Sequence, residues 1–177
     1  MKFTKEDARK RVLNCVKQYQ QNLLHKKLLI IFRERQDNSI RFIEVIFHER
    51  NYQHLTGLEL TNTEGKILQH QSKNFYRKCI ENKLGLNDVD KVMGGVNFCL
   101  GLSRENDVFI PSSALLEDIK KLTSSPSQVL AIFEKDIDSE LYSTVKHVAK
   151  GLNLRHLILP PEISSKISLE HYVYRGK

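Results

Sequence analysis

The chain has 177 residues, 40% of them hydrophobic and 28% charged, and 28 Lys+Arg against 21 Asp+Glu give a formal net charge of +7. That length and aliphatic content suit one domain with a sizeable core, and exclude a short disulfide-stapled scaffold and a mainly disordered chain. The longest apolar runs, such as Leu28–Phe32, fall far short of the roughly 20 residues that cross a bilayer.

Thr4 to His25 reads as a helix, capped by Thr4 with Asp7 three residues on. Val12, Cys15, Val16, Tyr19 and Leu23 form its apolar stripe. Lys27–Arg35 and Ile40–His48 read as strands, and Gln36-Asp37-Asn38-Ser39 between them predicts an antiparallel hairpin. The second strand holds more apolar residues than a half-exposed strand needs. Glu49 to Gly57 is expected to be a helical turn stopped by Gly57, and Asn62-Thr63-Glu64-Gly65 another turn. Lys73 to Leu84 has helical spacing, with Phe75, Cys79, Ile80 and Leu84 inward. A short helix is expected over Asp88–Met93, ending at Gly94-Gly95. Val96–Leu102, broken by Gly101, fits neither period. Asp107–Ile110 reads as a short strand, Ser112 or Ser113 as a cap, and Ala114–Leu122 as a helix. After the loop Thr123-Ser124-Ser125-Pro126-Ser127, Gln128–Lys135 and Leu141–Lys150 read as strands, the second with a helix as its alternative, and Glu162–Ile167 as a last helical turn.

The excess charge is local. Residues 1–56 hold 12 basic and 6 acidic side chains, 57–123 balance at 9 against 9, and 124–177 give 7 against 6. A basic first third can concentrate an anionic partner, because Lys and Arg release counterions when they meet phosphates. Cys15, Cys79 and Cys99 are odd in number and form no C-x-x-C pair, so they are expected to be reduced core thiols of a cytoplasmic protein. Met1–Asp7 is polar, without a segment of signal-peptide type.

No two of the seven histidines have the i, i+4 spacing of a helix-borne zinc site. Gly94-Gly95 and Gly101 fit no phosphate-cradling pattern, and no serine lies in G-x-S-x-G. Neither a metal nor a cofactor is therefore expected. What stands out is His54-Leu55-Thr56-Gly57, with Arg50 four residues before the histidine, on one helical face. A histidine moves protons near neutral pH, and an arginine holds a phosphate or the charge that builds on it. The alternative is that His54 and Thr56 bond a turn while Arg50 faces solvent. In Phe75-Tyr76-Arg77-Lys78, the outer residues Tyr76 and Lys78 can reach a groove, or simply form the basic outside of an amphipathic helix. On the late strand Ser143, Lys146 and His147 add polar groups.

Phe47-His48-Glu49-Arg50-Asn51-Tyr52-Gln53-His54-Leu55-Thr56-Gly57, followed by Asn74-Phe75-Tyr76-Arg77-Lys78-Cys79 and Lys83-Leu84, resembles a domain family of phages and mobile elements in Gram-positive bacteria. It is the fourth group of phage-type nucleases likened to barnase, EndoU, colicin and RelE, the BECR superfamily, with an F-x-H-L-T-G core and a later F-Y helix. Here Tyr52 stands where the pattern has Phe. Leu130–Lys135 and Tyr142–Lys150 also look like the family's C-terminal strands, so the resemblance spans residues 10–165. It implies a small α+β fold, a single domain with the N-terminal and further helices packed on an antiparallel sheet of about four strands. It also implies a metal-independent RNase activity. His54, Thr56, Gly57, Phe75 and Tyr76 match the family's pattern, whereas Arg50, Lys78 and His147 rest on their chemistry.

The resulting expectation is an endoribonuclease, a toxin or phage-encoded effector, with His54, Arg50, Thr56 and Lys78 catalytic. Tyr52, Tyr76, Arg77, Lys146 and His147 would contact the RNA. An antitoxin or immunity protein is a possible partner, a membrane is not, and the oligomeric state is left open. The runner-up is a non-catalytic RNA- or protein-binding module on the same fold. A third reading is an interaction domain in which H-L-T-G is structural.

Overall fold

The computed structural model describes residues 4–51, 89–115, 117–124 and 126–176. Helix α1, Lys5–Asn22, begins with the expected capping box: Thr4 Oγ1 accepts from the Asp7 N–H at 3.2 Å, and the Thr4 N–H donates to Asp7 Oδ2 at 3.0 Å. Two otherwise orphaned donors are satisfied this way. The helix stops three residues before His25, which takes a left-handed φ of 63° and turns the chain into the sheet. Of the predicted stripe, Val16 and Tyr19 are buried, but Cys15 is exposed. Of the two described cysteines Cys99 is the buried thiol, and burial pushes its pKa up. Cys79 lies outside the described residues.

Strands β1 (Lys26–Arg33) and β2 (Ile40–Ile46) form the expected antiparallel hairpin, with Ile30 opposite Ile43. Strands β3 (Lys91–Gly94), β4 (Cys99–Glu105), β5 (Val108–Leu115), β6 (Gln128–Asp136) and β7 (Thr144–Val148) complete one sheet. Its order is β3-β4-β5-β2-β1-β6-β7. This corrects the expectation of about four antiparallel strands. There are seven among the described residues, and the sheet is mixed, because β2 and β5 run parallel at Val45–Phe109.

The departures from the expected elements have identifiable causes. The helix expected over Asp88–Met93 is strand β3. Asp90 holds the neighbouring strand instead of a helix, its N–H donating to Leu102 O at 2.9 Å and its Oδ2 accepting from the Arg104 N–H at 2.6 Å. The helix expected over Ala114–Leu122 shrinks to α2, Ile119–Leu122, capped by Asp118. Ser112 is the extra residue where the β4–β5 register breaks and not a cap: its hydroxyl bonds Ser103 Oγ at 2.8 Å across the strands and donates to Gly101 O at 3.2 Å. Pro111, opposite Leu102, sits at the register break next to Gly101, where a missing N–H does least harm.

Gly94 is opposite Cys99 where β3 turns back into β4. A Cβ there would collide with the Phe98 carbonyl oxygen and lie 2.6 Å from Cys99 Cα. Gly94→Ala is therefore expected to destabilise the protein by about 1–3 kcal/mol, the usual range for overpacking. A urea midpoint equal to that of the unaltered protein would refute this.

Both faces of the central strands are covered, which accounts for four consecutive buried residues, Leu28–Ile31. On one face Leu28, Ile30, Ile43, Val45 and Phe47 pack with Val16 and Tyr19 of α1 and with Leu102 of β4. On the other, Leu29, Ile31, Ala131 and Phe133 pack with Tyr142, Leu154 and Ile163. The last two belong to the C-terminal segment, through its 3-10 turn Leu154–His156 and helix α3, Pro161–Ser164. That segment is tied down beside β7 by the Tyr142–Ile167 bridge.

Candidate functional site

The chain leaves β2 into a short helical stretch, Glu49–Asn51, that carries Arg50. The stretch is fixed by the His48 carbonyl, which accepts from the Tyr19 hydroxyl at 2.7 Å and from the Asn51 N–H at 3.0 Å. Buried Asn51 returns a bond, its Oδ1 accepting from the His48 N–H at 2.7 Å. Tyr19 also meets Phe47 edge to face, with ring centroids 6.1 Å apart, and burial holds its phenol well above the usual pKa. Helix α1 thus anchors the entry to the H-L-T-G sequence. Arg50 itself points along the surface, with Nη2 donating to both Glu105 carboxylate oxygens at 2.7 and 2.8 Å. Glu105 ends β4 and had no place among the sequence candidates. Only proximity across the sheet reveals it.

Lys146 and His147 lie on β7, at the far edge of the sheet. The pairing with β6 slips between Ile132 and Phe133, with Phe133 opposite Val145 and Ile132 opposite His147. Lys146 is the extra residue, so a bulge sets it beside His147, the kind of irregularity that re-aims a side chain. Its ammonium lies 3.6 Å from Glu134 Oε2, a buried oxygen without a hydrogen-bond partner among the described residues. Between β2 and β7 stand β1 and β6. At about 4.8 Å per strand, the edge residues are some 14 Å across the sheet from the strand that leads to Arg50. The two groups do not form one cluster.

Tyr52, His54, Thr56, Gly57, Phe75, Tyr76, Arg77 and Lys78 lie outside the described residues, as do the helix expected over 73–84 and the turn at 62–65.

A third polar group is interior. Glu44, inward on β2, accepts from the Tyr142 hydroxyl at 2.7 Å, from Lys27 at 3.0 Å and from Lys166 at 3.2 Å. Burial works to raise the Glu44 pKa, but the bonds from Tyr142, Lys27 and Lys166 outweigh it and hold the carboxyl below its usual range. Tyr142 is pushed strongly up by burial and by its bond to Glu44. With every donor committed, this cluster is a tie between the sheet and the C-terminal segment. Among the described residues no group of three or more His, Cys, Asp or Glu side chains could hold a metal ion. No described helix is long and apolar enough to cross a membrane.

The arrangement is a turn that carries Arg50, paired with Glu105, from β2 into a histidine-bearing sequence, on a helix-backed sheet. Comparison with known families gives that turn a context. Residues 11–95 match the family model PBECR4, the phage-Barnase-EndoU-ColicinE5/D-RelE like nuclease4. The family suspected from the H-L-T-G sequence and the Phe-Tyr helix is thus the one that matches. The PBECR4 match runs from within α1 through β1, β2 and residues 52–88 to the end of β3. It includes Arg50, Tyr52, His54, Thr56, Tyr76, Arg77 and Lys78. The later strands, with Lys146 and His147, lie beyond it, although the sequence resemblance reached residue 165. Searches of the curated proteins and of the solved structures give no match.

Proposed function

We propose that the chain is an endoribonuclease that cleaves RNA without a metal, and the match of residues 11–95 to a nuclease family is the observation that carries this reading. RNA holds its own nucleophile. His54, as general base, takes the proton of a 2′-hydroxyl, whose oxygen attacks the adjacent phosphorus. The 5′-oxygen of the next nucleotide leaves with a proton from a general acid, giving a 2′,3′-cyclic phosphate and a 5′-hydroxyl. Arg50 and Lys78 stabilise the charge that builds on the phosphoryl oxygens, and Thr56 donates a hydroxyl bond there. Tyr52 and Tyr76 stack on bases, and Arg77 holds the backbone. The exposed Arg50–Glu105 pair is of a kind that contributes only about 0–1 kcal/mol, so a phosphate can replace Glu105 at little expense. In this reading the protein is a phage- or mobile-element-type toxin or effector acting in the cytoplasm, held in check by an antitoxin or immunity protein.

The same ion pair also supports a second reading, a module that binds RNA without cutting it, because Arg50 already has an anionic partner. One experiment separates the two. Purified protein is incubated in EDTA with a mixed-sequence RNA and with its 2′-O-methyl counterpart. Cleavage of the first alone, leaving 2′,3′-cyclic phosphate ends, is the expected result. Binding of both with cleavage of neither would leave only the binding module.

A further inference from the structure

Strand β7 ends the sheet, so one of its edges has no partner strand among the described residues. A cleft of about 660 Å³ runs along that edge, lined by the ten consecutive residues 143–152 on one side and by 171–176 on the other. Three of its lining residues are full cations, Lys146, Lys150 and Arg175, and two more are the imidazoles of His147 and His171. Tyr172 and Tyr174 supply aromatic rings, the second 46% exposed. No Asp or Glu is among its lining residues. Residues 124–177 as a whole balance at 7 basic against 6 acidic, yet the cleft lining is basic, with Glu134 paired to Lys146 at 3.6 Å.

The outer wall is built, not draped. Arg155 Nη2 donates to the carbonyls of Leu169 and Tyr172 at 2.9 and 3.0 Å, and its guanidinium lies 5.8 Å from the centre of the Tyr172 ring. The Tyr172 hydroxyl accepts from the Leu154 N–H at 3.3 Å. Upstream, the Tyr142 N–H donates to Lys166 O, and the Ser168 N–H to Tyr142 O, both at 2.9 Å. These bonds fix the tail opposite β7 and hold the cleft at its width.

We infer that this cleft is a second contact site for RNA, in which a short single-stranded stretch lays its phosphates on Lys146, Lys150 and Arg175 and stacks a base on Tyr174. Cations that track a backbone, interleaved with exposed aromatic rings, are what single-stranded nucleic acid recognises. An extended peptide added to the β7 edge would use the backbone row, but it gives no reason for three cations, two histidines and two tyrosines to line one cleft with Glu134, beside Lys146, as the carboxylate paired to them. The inference rests on the RNA reading above. It lies beyond residue 95, so it adds a binding path outside the segment that matches the nuclease family.

Full-length protein is titrated with a fluorescent single-stranded 2′-O-methyl RNA decamer, which the proposed chemistry cannot cut, at several salt concentrations. The Lys150→Ala/Arg175→Ala double variant is expected to flatten the plot of log affinity against log salt by about 1.4, at roughly 0.7 per cation. Tyr174→Ala should weaken binding about fivefold or more, and Tyr174→Phe should restore it, since stacking needs the ring and not the hydroxyl. Lys120→Ala/Lys121→Ala removes equal charge at α2 and should change the slope far less. Groove variants that bind like the unaltered protein overturn the inference, even if RNA is cleaved normally. So does loss of binding to an acidic peptide with RNA affinity unchanged, which would give the cleft to a protein partner. Groove-dependent binding without any cleavage would uphold the cleft and refute the nuclease.

Discussion

Replacing Glu44 by alanine is expected to destabilise the protein by about 2–4 kcal/mol, below the range for one member of a fully buried ion pair because Lys27 and Lys166 are partly exposed. The side chain is 14% exposed and carries the only negative charge in its cluster, so the change leaves Lys27, Lys166 and the Tyr142 hydroxyl facing one another. Tyr142→Phe removes a single bond to the carboxylate and should lose about 1.5–3 kcal/mol. Urea midpoints at pH 7 check both, and a Glu44→Ala midpoint equal to the unaltered one refutes the prediction. The pH dependence has a definite sign. A carboxyl whose folded pKa lies below its unfolded value near 4.3 binds its proton more readily in the unfolded chain. Its contribution is complete above that unfolded value and is lost as pH falls through the folded one. Glu44→Gln should therefore be less stable at pH 7 and should lose less stability on acidification below about pH 4.5. Because Glu44 bonds both Tyr142 and Lys166, the change should also loosen the wall of the β7 cleft.

Elements dictated by neighbouring residues were legible in the sequence. The Thr4–Asp7 cap, the β1–β2 hairpin with its Gln36–Ser39 turn, and the β6 run each depend on a spacing that shows in a few consecutive residues. Even the excess of apolar residues in β2 has its explanation, since α1 packs on one face and the C-terminal segment on the other. What failed were segments whose partners are distant. Asp90, inside the helix expected over Asp88–Met93, serves β4 instead, and Ser112, expected as a cap, bonds Ser103 across the strands. The parallel pairing of β2 with β5 joins Val45 to Phe109, a separation no local period reports. For the candidate site, the H-L-T-G sequence together with the later Phe75-Tyr76 pair pointed to the family that matches. Glu105 on Arg50, Glu134 on Lys146 and the tail across from β7 are consequences of folding. A charge count by thirds of the chain had hidden the last, because its cations lie among carboxylates in sequence, whereas no Asp or Glu is among the residues that line the cleft.

His54→Ala is expected to lower kcat/KM for RNA cleavage by about 10²–10⁴-fold, the usual contribution of a positioned acid or base. The larger figure corresponds to about 5 kcal/mol of lost transition-state stabilisation. A structural histidine would behave differently: the variant's urea midpoint would fall, and any loss of rate would track the unfolded fraction. An unchanged midpoint with a collapsed rate, together with loss of the rate's pH limb near neutrality, identifies proton transfer. An unchanged rate refutes the role. Arg50 offers a sharper contrast, because its counter-charge is known. If its task is to meet phosphate, Glu105→Gln frees it, and both RNA affinity and the salt dependence of binding should rise. Arg50→Ala should then lower kcat by about 10²–10³-fold, as the loss of a donor to the developing charge does. If the pair only ties the exit of β2 to the tip of β4, both substitutions should cost less than about 1 kcal/mol of stability and leave RNA binding unchanged. The first outcome is a gain of affinity and the second is none, so partial unfolding cannot imitate the first. Loss of a carboxylate near bound RNA also raises affinity through general electrostatics, so competition at Arg50 is identified when Arg50→Ala abolishes the gain.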